Sequence, residues 1–342
     1  MTPKQQGFFF PAEWHKHQST WLSYPHNVNS WPDKIQTIFP FYNQFIKQIS
    51  EGEIVNINVL DQNMQSLVTK QLSEIGTDLN KIIFHHFKTD DAWCRDHGPA
   101  FVINETQKAI VDWKYNAWGN KYPFDNDNLI ASKIADHLNL SVFKPDIVME
   151  GGSVDFNGKG SVLTTTACLL NKNRNPNLSQ QQIEEKLSEF YGINNIIWLL
   201  DGIVGDDTDG HIDDITRFVA DDTIITAIEK EKSDENYAIL QKNLAILSKA
   251  RLENGKQPAI VELPMPKAVI WDDQRLPASY ANFYISNNAV IVPIYNCKQD
   301  NQAIYTLEQC FKDHKIVAID STEIIWGLGS FHCLSQQEPA II

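Results

Sequence analysis

The sequence predicts an α/β fold built from repeated strand–strand–helix–strand modules, in a single domain spanning residues 1–342. Apolar hairpins recur along the chain with starts roughly 50 to 70 residues apart, on the scale of internal repeats. Segments with helical spacing of apolar residues lie between them. Because each repeat carries a hairpin as well as a helix, we expect five modules around an axis, an α/β propeller, rather than a doubly wound sheet with single strands between helices.

The hairpins share one pattern, in which polar residues lead into an apolar strand, a turn of Asn, Asp or Gly, and a second apolar strand. The dipeptide Asn157-Gly158 is a strong signal for a tight hairpin turn. The predicted turns are at Asn104, Asn157-Gly158, Asp221-Asp222 and Asn287-Asn288, and a fifth hairpin is predicted to open with residues 329–336 as its first strand.

Five helices are predicted between the hairpins from apolar periodicity and from capping residues. Ser179 is the expected N-cap of one helix that stops at Gly192, and Ser233 of another that stops at Gly255. The predicted helical segments are the residues after Ser30 up to 50, then 128–140, 179–191, 233–254 and 306–314.

Composition limits the classes of function. The chain has 42% hydrophobic and 11% aromatic residues, a composition that is typical of a globular protein. Its formal charge is -14. Such an acidic protein repels phosphate backbones, so nucleic acid is not expected as a partner, whereas a cationic ligand is compatible. No stretch approaches the roughly 18 apolar residues of a membrane span, and the N-terminal apolar patch is too short for a secretory signal. The five cysteines show no paired spacing, which favours a reduced, cytoplasmic protein.

Reactive side chains recur where the hairpins begin. Taken singly, each has an ordinary structural explanation, but independent structural causes would not place all of them in register. If His211 and Asp213 lie on a strand, they project to the same face because they are two residues apart. The residues at the hairpin starts are Trp93, Asp96, Glu150, His211, Asp213 and Cys333.

Together these residues predict a site for a guanidinium group. A cysteine becomes a strong nucleophile when a histidine or a positive charge lowers its pKa. A guanidinium is planar and permanently charged, and its N–H groups pair with carboxylates such as Asp96 and Asp213. Trp93 could stack on the group or on its alkyl chain. No zinc-type pair and no phosphate-binding glycine loop with its helix is evident, so neither a metal nor a nucleotide cofactor is expected.

The motifs at these positions resemble the agmatine deiminase family, which also contains the bacterial peptidyl-arginine deiminases. The resemblance runs from about residue 11 to 339, with the motifs in the family's order. They are PAEWHKHQSTWLSYPHNVNSWP, DDAWCRDHGPAFV, MEGGSVDFNGKGSVLTTTACLLNKNRNP, DDTDGHIDDITRFV, ASYANFYISNNAVIVP and GLGSFHCLSQQEP.

The resemblance implies the pentein fold, a five-bladed α/β propeller, and deimination of a small cationic guanidino substrate, most simply agmatine, without cofactor. It is also compatible with a homodimer. The implied roles are Cys333 as nucleophile, His211 as general acid and base, Glu150 beside the histidine, Asp96 and Asp213 on the guanidinium, and Trp93 against the substrate. The sequence departs from the family at Gly327-Leu328-Gly329-Ser330, at Asp207 near the far end of the substrate, at Cys94 and at His97.

Other functions stay open from the sequence. Peptidyl-arginine or free arginine could be the substrate, and a non-catalytic guanidine-binding protein could keep the same pocket. A cysteine amidase would use Cys333 and His211 but would leave Asp96 and Asp213 without a task.

Overall fold

Antiparallel strand pairs alternate with helices throughout residues 1–341, the part of the chain that this computed structural model describes. The mixed α/β class predicted from the sequence is confirmed. The strands are β1 (His17–Ser23), β2 (Ile54–Asn58), β3 (Ile82–His85), β4 (Ala100–Ile103), β5 (Lys108–Val111), β6 (Ser141–Phe143), β7 (Val154–Phe156), β8 (Ser161–Thr165), β9 (Asn195–Leu199), β10 (Thr216–Ala220), β11 (Thr223–Ile228), β12 (Ala259–Pro264), β13 (Ile270–Trp271), β14 (Gln274–Arg275), β15 (Tyr284–Ile285), β16 (Ala289–Ile294), β17 (Lys315–Asp320) and β18 (Ser335–Pro339).

Helices connect the second strand of each hairpin to the strand that follows it. Parallel neighbours need such a crossover, whereas antiparallel neighbours can be joined by a tight turn. The helices are α1 (Ile35–Ser50), α2 (Gln62–Glu74), α3 (Cys94–His97), α4 (Ala117–Asn120), α5 (Ile130–Leu138), α6 (Thr166–Leu169), α7 (Gln180–Tyr191), α8 (Tyr237–Leu247) and α9 (Asp300–Cys310).

Five sheets share one topology, in which an antiparallel pair is followed by a parallel strand reached through a helix. Their strand orders are β4-β5-β6, β7-β8-β9, β10-β11-β12, β15-β16-β17 and β18-β1-β2-β3. A separate two-stranded ribbon, β13-β14, lies outside this pattern. The repeated strand–strand–helix–strand unit that the sequence predicts is therefore present in chain order in four of these sheets, whereas the fifth combines strands from both ends of the chain and adds one more strand, β3.

The first four predicted hairpins are confirmed. They are β4-β5, β7-β8, β10-β11 and β15-β16, each antiparallel. The first turn forms because Asn104 Oδ1 accepts hydrogen bonds from the backbone N–H groups of Thr106 and Gln107, as asparagine commonly does in turns.

The fifth predicted hairpin is wrong. Residues 329–334 form turns rather than a strand, and β18 begins only at Ser335. Its antiparallel partner is β1, near the other end of the chain, with Leu22 opposite Ser335. A hairpin search between sequence neighbours could not find this pair, because the two strands are about as far apart in sequence as the chain allows.

The helix predicted at 179–191 is confirmed at both ends, and the one predicted at 128–140 is two residues shorter at each end. Ser179 caps α7 through the N–H of Gln182, and the Gln182 side chain returns the bond, forming a capping box. Gly192 follows in the left-handed conformation with φ 70°. The helix at 128–140 is α5, which ends before Asn139 in the same conformation.

The remaining helix boundaries differ from the predictions. α1 starts at Ile35 and runs through Pro40. Asn236, not Ser233, is the N-cap of α8, because the Ser233 hydroxyl donates to Glu231 instead, and the helix ends well before Gly255. α9 starts six residues before Thr306 and ends at Cys310, and α2, capped by Asp61, was not predicted at all.

The sheets and helices enclose several apolar clusters, the largest of which packs α1 and α2 against β1-β2-β3. Cys168 is buried, whereas Cys297 and Cys310 are only partly buried. None of the helices within residues 1–341 has the length and apolar character to cross a membrane.

Candidate active site

A cavity of about 500 Å³ opens where the segments that precede the hairpins meet. Cys333, Asp96, Trp93 and Asp207, four of the residues singled out in the sequence, line it. Glu150, His211 and Asp213 are completely buried, and contacts described below join them to the cavity-lining residues.

Asp96 is held on the short helix α3 by donors on both carboxylate oxygens. Oδ1 accepts from the Gly152 N–H at 2.8 Å, and Oδ2 accepts from the indole of Trp118 at 3.0 Å. Gly152 must lack a side chain, because a Cβ there would lie 2.9 Å from Asp96 Oδ1 and 2.6 Å from His211 Nδ1. Burial raises the pKa of Asp96, although His211 acts to lower it.

His211 and Asp213 approach each other by a different route from the one predicted. His211 immediately precedes a 3-10 turn, Ile212–Asp214, and Asp213 lies within that turn. Strand β10 starts only at Thr216. Even so, His211 Nδ1 lies 3.9 Å from Asp213 Oδ1 and 3.9 Å from Asp96 Oδ1. The imidazole therefore sits between the two carboxylates that the sequence assigns to a guanidinium.

Protonation of His211 is favoured by its surroundings. Burial alone would lower its pKa, but the carboxylate of Asp96, the thiol of Cys168 and the carboxylate of Asp213 raise it well above the ordinary value. Within residues 1–341, neither ring nitrogen has a hydrogen-bond partner. An imidazolium with free N–H groups can donate a proton to a reacting atom.

Glu150 lies beside His211 but is held by Arg174. Its Oε1 accepts from Arg174 Nε at 2.8 Å, while Oε2 has no hydrogen-bond partner among the described residues. The ligand atoms of Glu150, Cys168 and His211 lie within 4.8 Å of one another. We predicted neither Arg174 nor Cys168 as part of the site. Arg174 lies in the NKNRNP segment of one of the family motifs, and its place in that motif could have indicated a role in the site.

The thiol of Cys333 faces an amide and a carboxylate. Asn282 Nδ2 donates to Sγ at 3.0 Å, and the thiol lies 3.7 Å from Asp213 Oδ2. Burial raises the pKa of Cys333 well above its usual value, and the negative charges of Asp213, Asp214 and Asp96 add to this. Without a compensating cation, the protonated thiol is the favoured form.

Asn282 also holds the backbone of the segment that carries Cys333. The sequence analysis did not identify Asn282 as a site residue. Its Oδ1 accepts from the backbone N–H groups of Ser330, His332 and Cys333 at 3.2, 3.1 and 3.3 Å. Asn282 precedes β15, so it occupies the start of the fourth hairpin, the one start that offered no obviously reactive residue.

His332 connects the segment that carries Cys333 to the carboxylates behind that segment. Its Nδ1 lies 2.6 Å from Asp213 Oδ2 and its Nε2 2.8 Å from Glu13 Oε2. Burial disfavours the charged form of Asp213, but the hydrogen bond from His332 prevails and lowers the pKa of that carboxyl. Glu13 is held in turn by Arg217 Nη2 at 2.5 Å.

The glycines before Cys333 permit close packing. A Cβ on Gly329 would lie 2.6 Å from the Trp93 ring and 3.2 Å from Cys333 Sγ, and one on Gly327 would lie 2.6 Å from the Trp31 ring. Leu328 adopts φ 71°, a conformation that is unfavourable for a side chain with a Cβ.

Asp207 stands at the cavity wall with its carboxylate already engaged. Lys121 Nζ lies 3.3 Å from Oδ1, and the Tyr122 hydroxyl donates to Oδ2 at 2.8 Å. Lys121 also reaches Asp209 at 3.1 Å. The expected position near the cavity is therefore found, together with a cationic partner that the sequence did not reveal.

The two other departures from the family lie outside the cavity wall. Cys94 starts α3 and is buried against Trp21 and Phe101. His97, at the other end of α3, lies 3.4 Å from Asp127 Oδ1. Burial opposes the charged form of His97, but Asp127 prevails and raises its pKa to about 10.

Two buried groups of residues have the ligand types and spacing of a metal site, Glu150-Cys168-His211 and Asp213-Asp214-Cys333. In the first, the guanidinium of Arg174 already neutralises Glu150 and would repel a cation. In the second, burial and the neighbouring carboxylate of Asp213 raise the pKa of Asp214 well above its usual value, which weakens Asp214 as a metal ligand. Neither group is therefore assigned to a metal.

A buried cysteine, an imidazole with free nitrogens and paired carboxylates fit the class of enzymes that act on guanidino groups. Residues 9–339 match the family model of the Porphyromonas-type peptidyl-arginine deiminases. The chain therefore belongs to that family, and the expectation drawn from its motifs is confirmed.

Similar proteins within this family carry the name agmatine deiminase. An agmatine deiminase structure from Enterococcus faecalis is 32% identical, covers 100% of this chain and 98% of its own, and superposes with a TM-score of 0.94. A cysteine-to-serine variant of the C. jejuni agmatine deiminase with substrate bound is 35% identical over 97% and 96% of the two chains, with a TM-score of 0.88. A Legionella pneumophila (strain Philadelphia 1) protein named "Putative agmatine deiminase" is 37% identical over 98% of this chain and 96% of its own.

Proposed function

We propose that this protein hydrolyses the guanidino group of agmatine, giving N-carbamoylputrescine and ammonia. The observation that carries the proposal is the meeting of Cys333, His211 and Asp96 around one buried point beside the cavity. Asp213 joins them, 3.9 Å from the imidazole and 3.7 Å from the thiol. The names of the similar enzymes support the same reaction.

Binding would prepare the nucleophile. The substrate guanidinium lies between Asp96 and Asp213, whose Oδ1 has no hydrogen-bond partner among the described residues, with its alkyl chain along Trp93. Its positive charge offsets the carboxylates that keep the Cys333 thiol protonated, so substrate binding is coupled to release of the thiol proton to solvent and formation of the thiolate. The amide of Asn282, 3.0 Å from Sγ, stabilises the resulting anion.

In the first half-reaction, the Cys333 sulfur forms a bond to the guanidinium carbon. His211, whose surroundings favour the imidazolium, donates its proton to the departing nitrogen, and the C–N bond breaks. Ammonia leaves, and an amidino-thioether joins Cys333 to the rest of the substrate.

In the second half-reaction, neutral His211 removes a proton from a water molecule that attacks the same carbon. The C–S bond then breaks, the electron pair returns to sulfur, and the ureido product leaves. Glu150 would act through proximity to His211 and through its ion pair with Arg174, since no hydrogen bond joins the two side chains within residues 1–341.

The charge of the cavity wall supports agmatine over arginine. Four lining residues are aspartates, Asp90, Asp91, Asp96 and Asp207, and none of the described lining residues is lysine or arginine. The only lining histidine, His26, has its pKa lowered by burial, which favours its neutral form. An α-carboxylate would therefore find no cation in the wall, whereas an ammonium group would find several anions.

Three further expectations belong to the proposal. The five sheets of common topology would stand around a pseudo-fivefold axis as propeller blades, with the reactive residues at their converging ends. A homodimer and a cytoplasmic location stay predictions from the family resemblance and from the sequence.

The test is to offer agmatine, free arginine and an arginine-containing peptide to the enzyme in parallel and to measure ammonia and ureido product. We expect agmatine to be turned over with the highest kcat/KM, and Cys333→Ala to lose activity by at least about a thousandfold. Cys310→Ala, a partly buried thiol on α9, is the matched control. Full turnover by Cys333→Ala would refute the covalent mechanism, and preference for the peptide or for arginine would refute the substrate.

Agmatine binding without turnover by the intact enzyme would favour the non-catalytic guanidine-binding alternative. Intact-mass measurement during turnover separates these possibilities, because the covalent mechanism predicts an adduct on Cys333 that the alanine variant cannot form.

A further inference from the structure

The carboxylate of Asp91 lines the cavity without a cationic partner. Its Oδ1 accepts from the backbone N–H of Ala92 at 2.8 Å, and its Oδ2 accepts from Asn27 Nδ2 at 3.3 Å and from the Ser30 hydroxyl. All three donors are neutral, and no ion pair to Asp91 occurs within residues 1–341. A largely buried carboxylate is costly when no opposite charge accompanies it.

The surroundings of Asp91 favour a visiting cation. Burial raises the pKa of Asp91 to about 6, while the hydrogen bond from Ser30 partly offsets the increase. Asn27 and Ser30 themselves line the cavity, so their hydrogen bonds hold the Asp91 carboxylate at the cavity wall that a substrate would touch. A cation placed there would gain a partner with no competing lysine or arginine.

The other wall carboxylates are less available. Asp207 already pairs with Lys121 and Tyr122. Asp90 accepts on Oδ2 from the backbone N–H of Asn126 and on Oδ1 from its side-chain amide, both at 2.7 Å, which ties Asp90 to a turn behind the cavity.

The distance along the chain also fits. Asp91 lies two residues before Trp93, and Trp93 packs on Gly329 beside the nucleophile. Two residues span at most about 7 Å, comparable to an extended four-carbon chain. Asp91 and Cys333 line the same cavity, so a substrate whose guanidinium lies at Cys333 could place the other end of such a chain near Asp91.

We propose that Asp91, oriented by Asn27 and Ser30, binds the terminal ammonium of the substrate, and that Asp207 does not. The proposal rests on the proposed function and assigns specificity for amine-bearing guanidines to this one carboxylate. The chemical class that it selects is an alkylguanidine with a primary amine about four carbons from the guanidino group.

The experiment compares agmatine with n-butylguanidine, which differs from agmatine only in lacking the amine. For Asp91→Asn, we expect the ratio of kcat/KM for agmatine to that for butylguanidine to fall by about tenfold or more, because a charge-assisted contact is lost for one substrate alone. Asp90→Asn, which makes the same change of charge in the same wall, is the matched control and should keep the wild-type ratio.

Three outcomes would overturn the assignment. The wild-type ratio could survive in Asp91→Asn, both substrates could lose activity equally in that variant, or the ratio could collapse in Asp207→Asn instead. Failure of the proposed function looks different, because the wild-type enzyme would then release ammonia from neither substrate.

Discussion

His332 Nδ1 lies 2.6 Å from Asp213 Oδ2, so the residue next to the nucleophile holds a carboxylate of the site. Its other nitrogen faces Glu13 Oε2 at 2.8 Å, so both ring nitrogens lie against carboxylate oxygens. The His-Cys pair near the end of the chain thus has two separate tasks: Cys333 presents sulfur to the cavity, and His332 keeps Asp213 ionised and oriented.

His332→Gln should affect both stability and the pH profile. Removing one partner of a buried ion pair costs about 3–5 kcal/mol, which urea unfolding would measure. Because His332 lowers the pKa of Asp213, its loss should raise that pKa, and kcat/KM should begin to fall at a higher pH on the acid side. His17→Gln breaks a buried pair with Glu53 away from the cavity and should lose stability without moving the profile. An unmoved profile in His332→Gln would contradict the role given to His332.

Alkylation of Cys333 by iodoacetamide should be slow at neutral pH and should accelerate as the pH rises. Burial and the charges of Asp213, Asp214 and Asp96 raise its pKa well above the usual thiol value, so the thiolate fraction is small until the solution is alkaline. In Asp213→Asn, one of these negative charges is gone, so the profile should shift to lower pH even though turnover falls. Peptide mass spectrometry assigns the modified residue. A plateau reached by pH 7 in the wild-type enzyme would show that the free enzyme already holds a thiolate.

Gly329→Ala should lower kcat/KM by about a hundredfold, the scale expected when reacting groups are displaced by an ångström. The new Cβ would lie 2.6 Å from the Trp93 ring and 3.2 Å from Cys333 Sγ, so one of them must move. Gly52→Ala, whose Cβ would meet the side chain of Asn288 instead, tests the cost of an added methyl away from the cavity. Near-normal activity in Gly329→Ala would mean that the packing of Trp93 on this loop is unimportant for turnover.

His97 should make the stability of the protein depend on pH. Its pKa in the folded state is about 10, raised by Asp127 against the effect of burial, whereas an unfolded histidine titrates near 6.5. The stabilisation is therefore complete below about pH 6.5 and is lost as the pH rises towards 10. Urea unfolding of the wild type and His97→Gln should give a difference of a few kcal/mol at pH 6 that shrinks by pH 10. A difference that stays constant over this range would contradict the Asp127 ion pair.

Much of the architecture could be predicted because its signals are local. Asn-Gly and Asx turns mark four hairpins, and Ser179 and Gly192 mark both ends of α7. Helix α2 was missed although Asp61 caps it, because its buried residues are few, Val68 and Leu72. The predicted reactive residues do approach one another, since each precedes the first strand of a sheet unit.

The parts that escaped prediction depend on contacts between distant segments. No local pattern pairs His332 with Glu13, or Asn282 with the N–H groups before Cys333. The strand expected at 210–215 is a 3-10 turn, because His211 and Gly210 donate their N–H groups to Asp206 rather than to a neighbouring strand.

The pairing of β18 with β1 has a consequence for the order of assembly. The entropic cost of closing the loop between residues 17–23 and 335–339 grows with the length of chain between them. Local hairpins form without this long-range cost. Cys333 immediately precedes β18, so its position depends on this long-range closure. In a refolding experiment, the secondary structure followed by spectroscopy should therefore return before the ammonia-releasing activity does. A chain halted during synthesis ahead of residue 333 would contain most of the sheets and none of the activity.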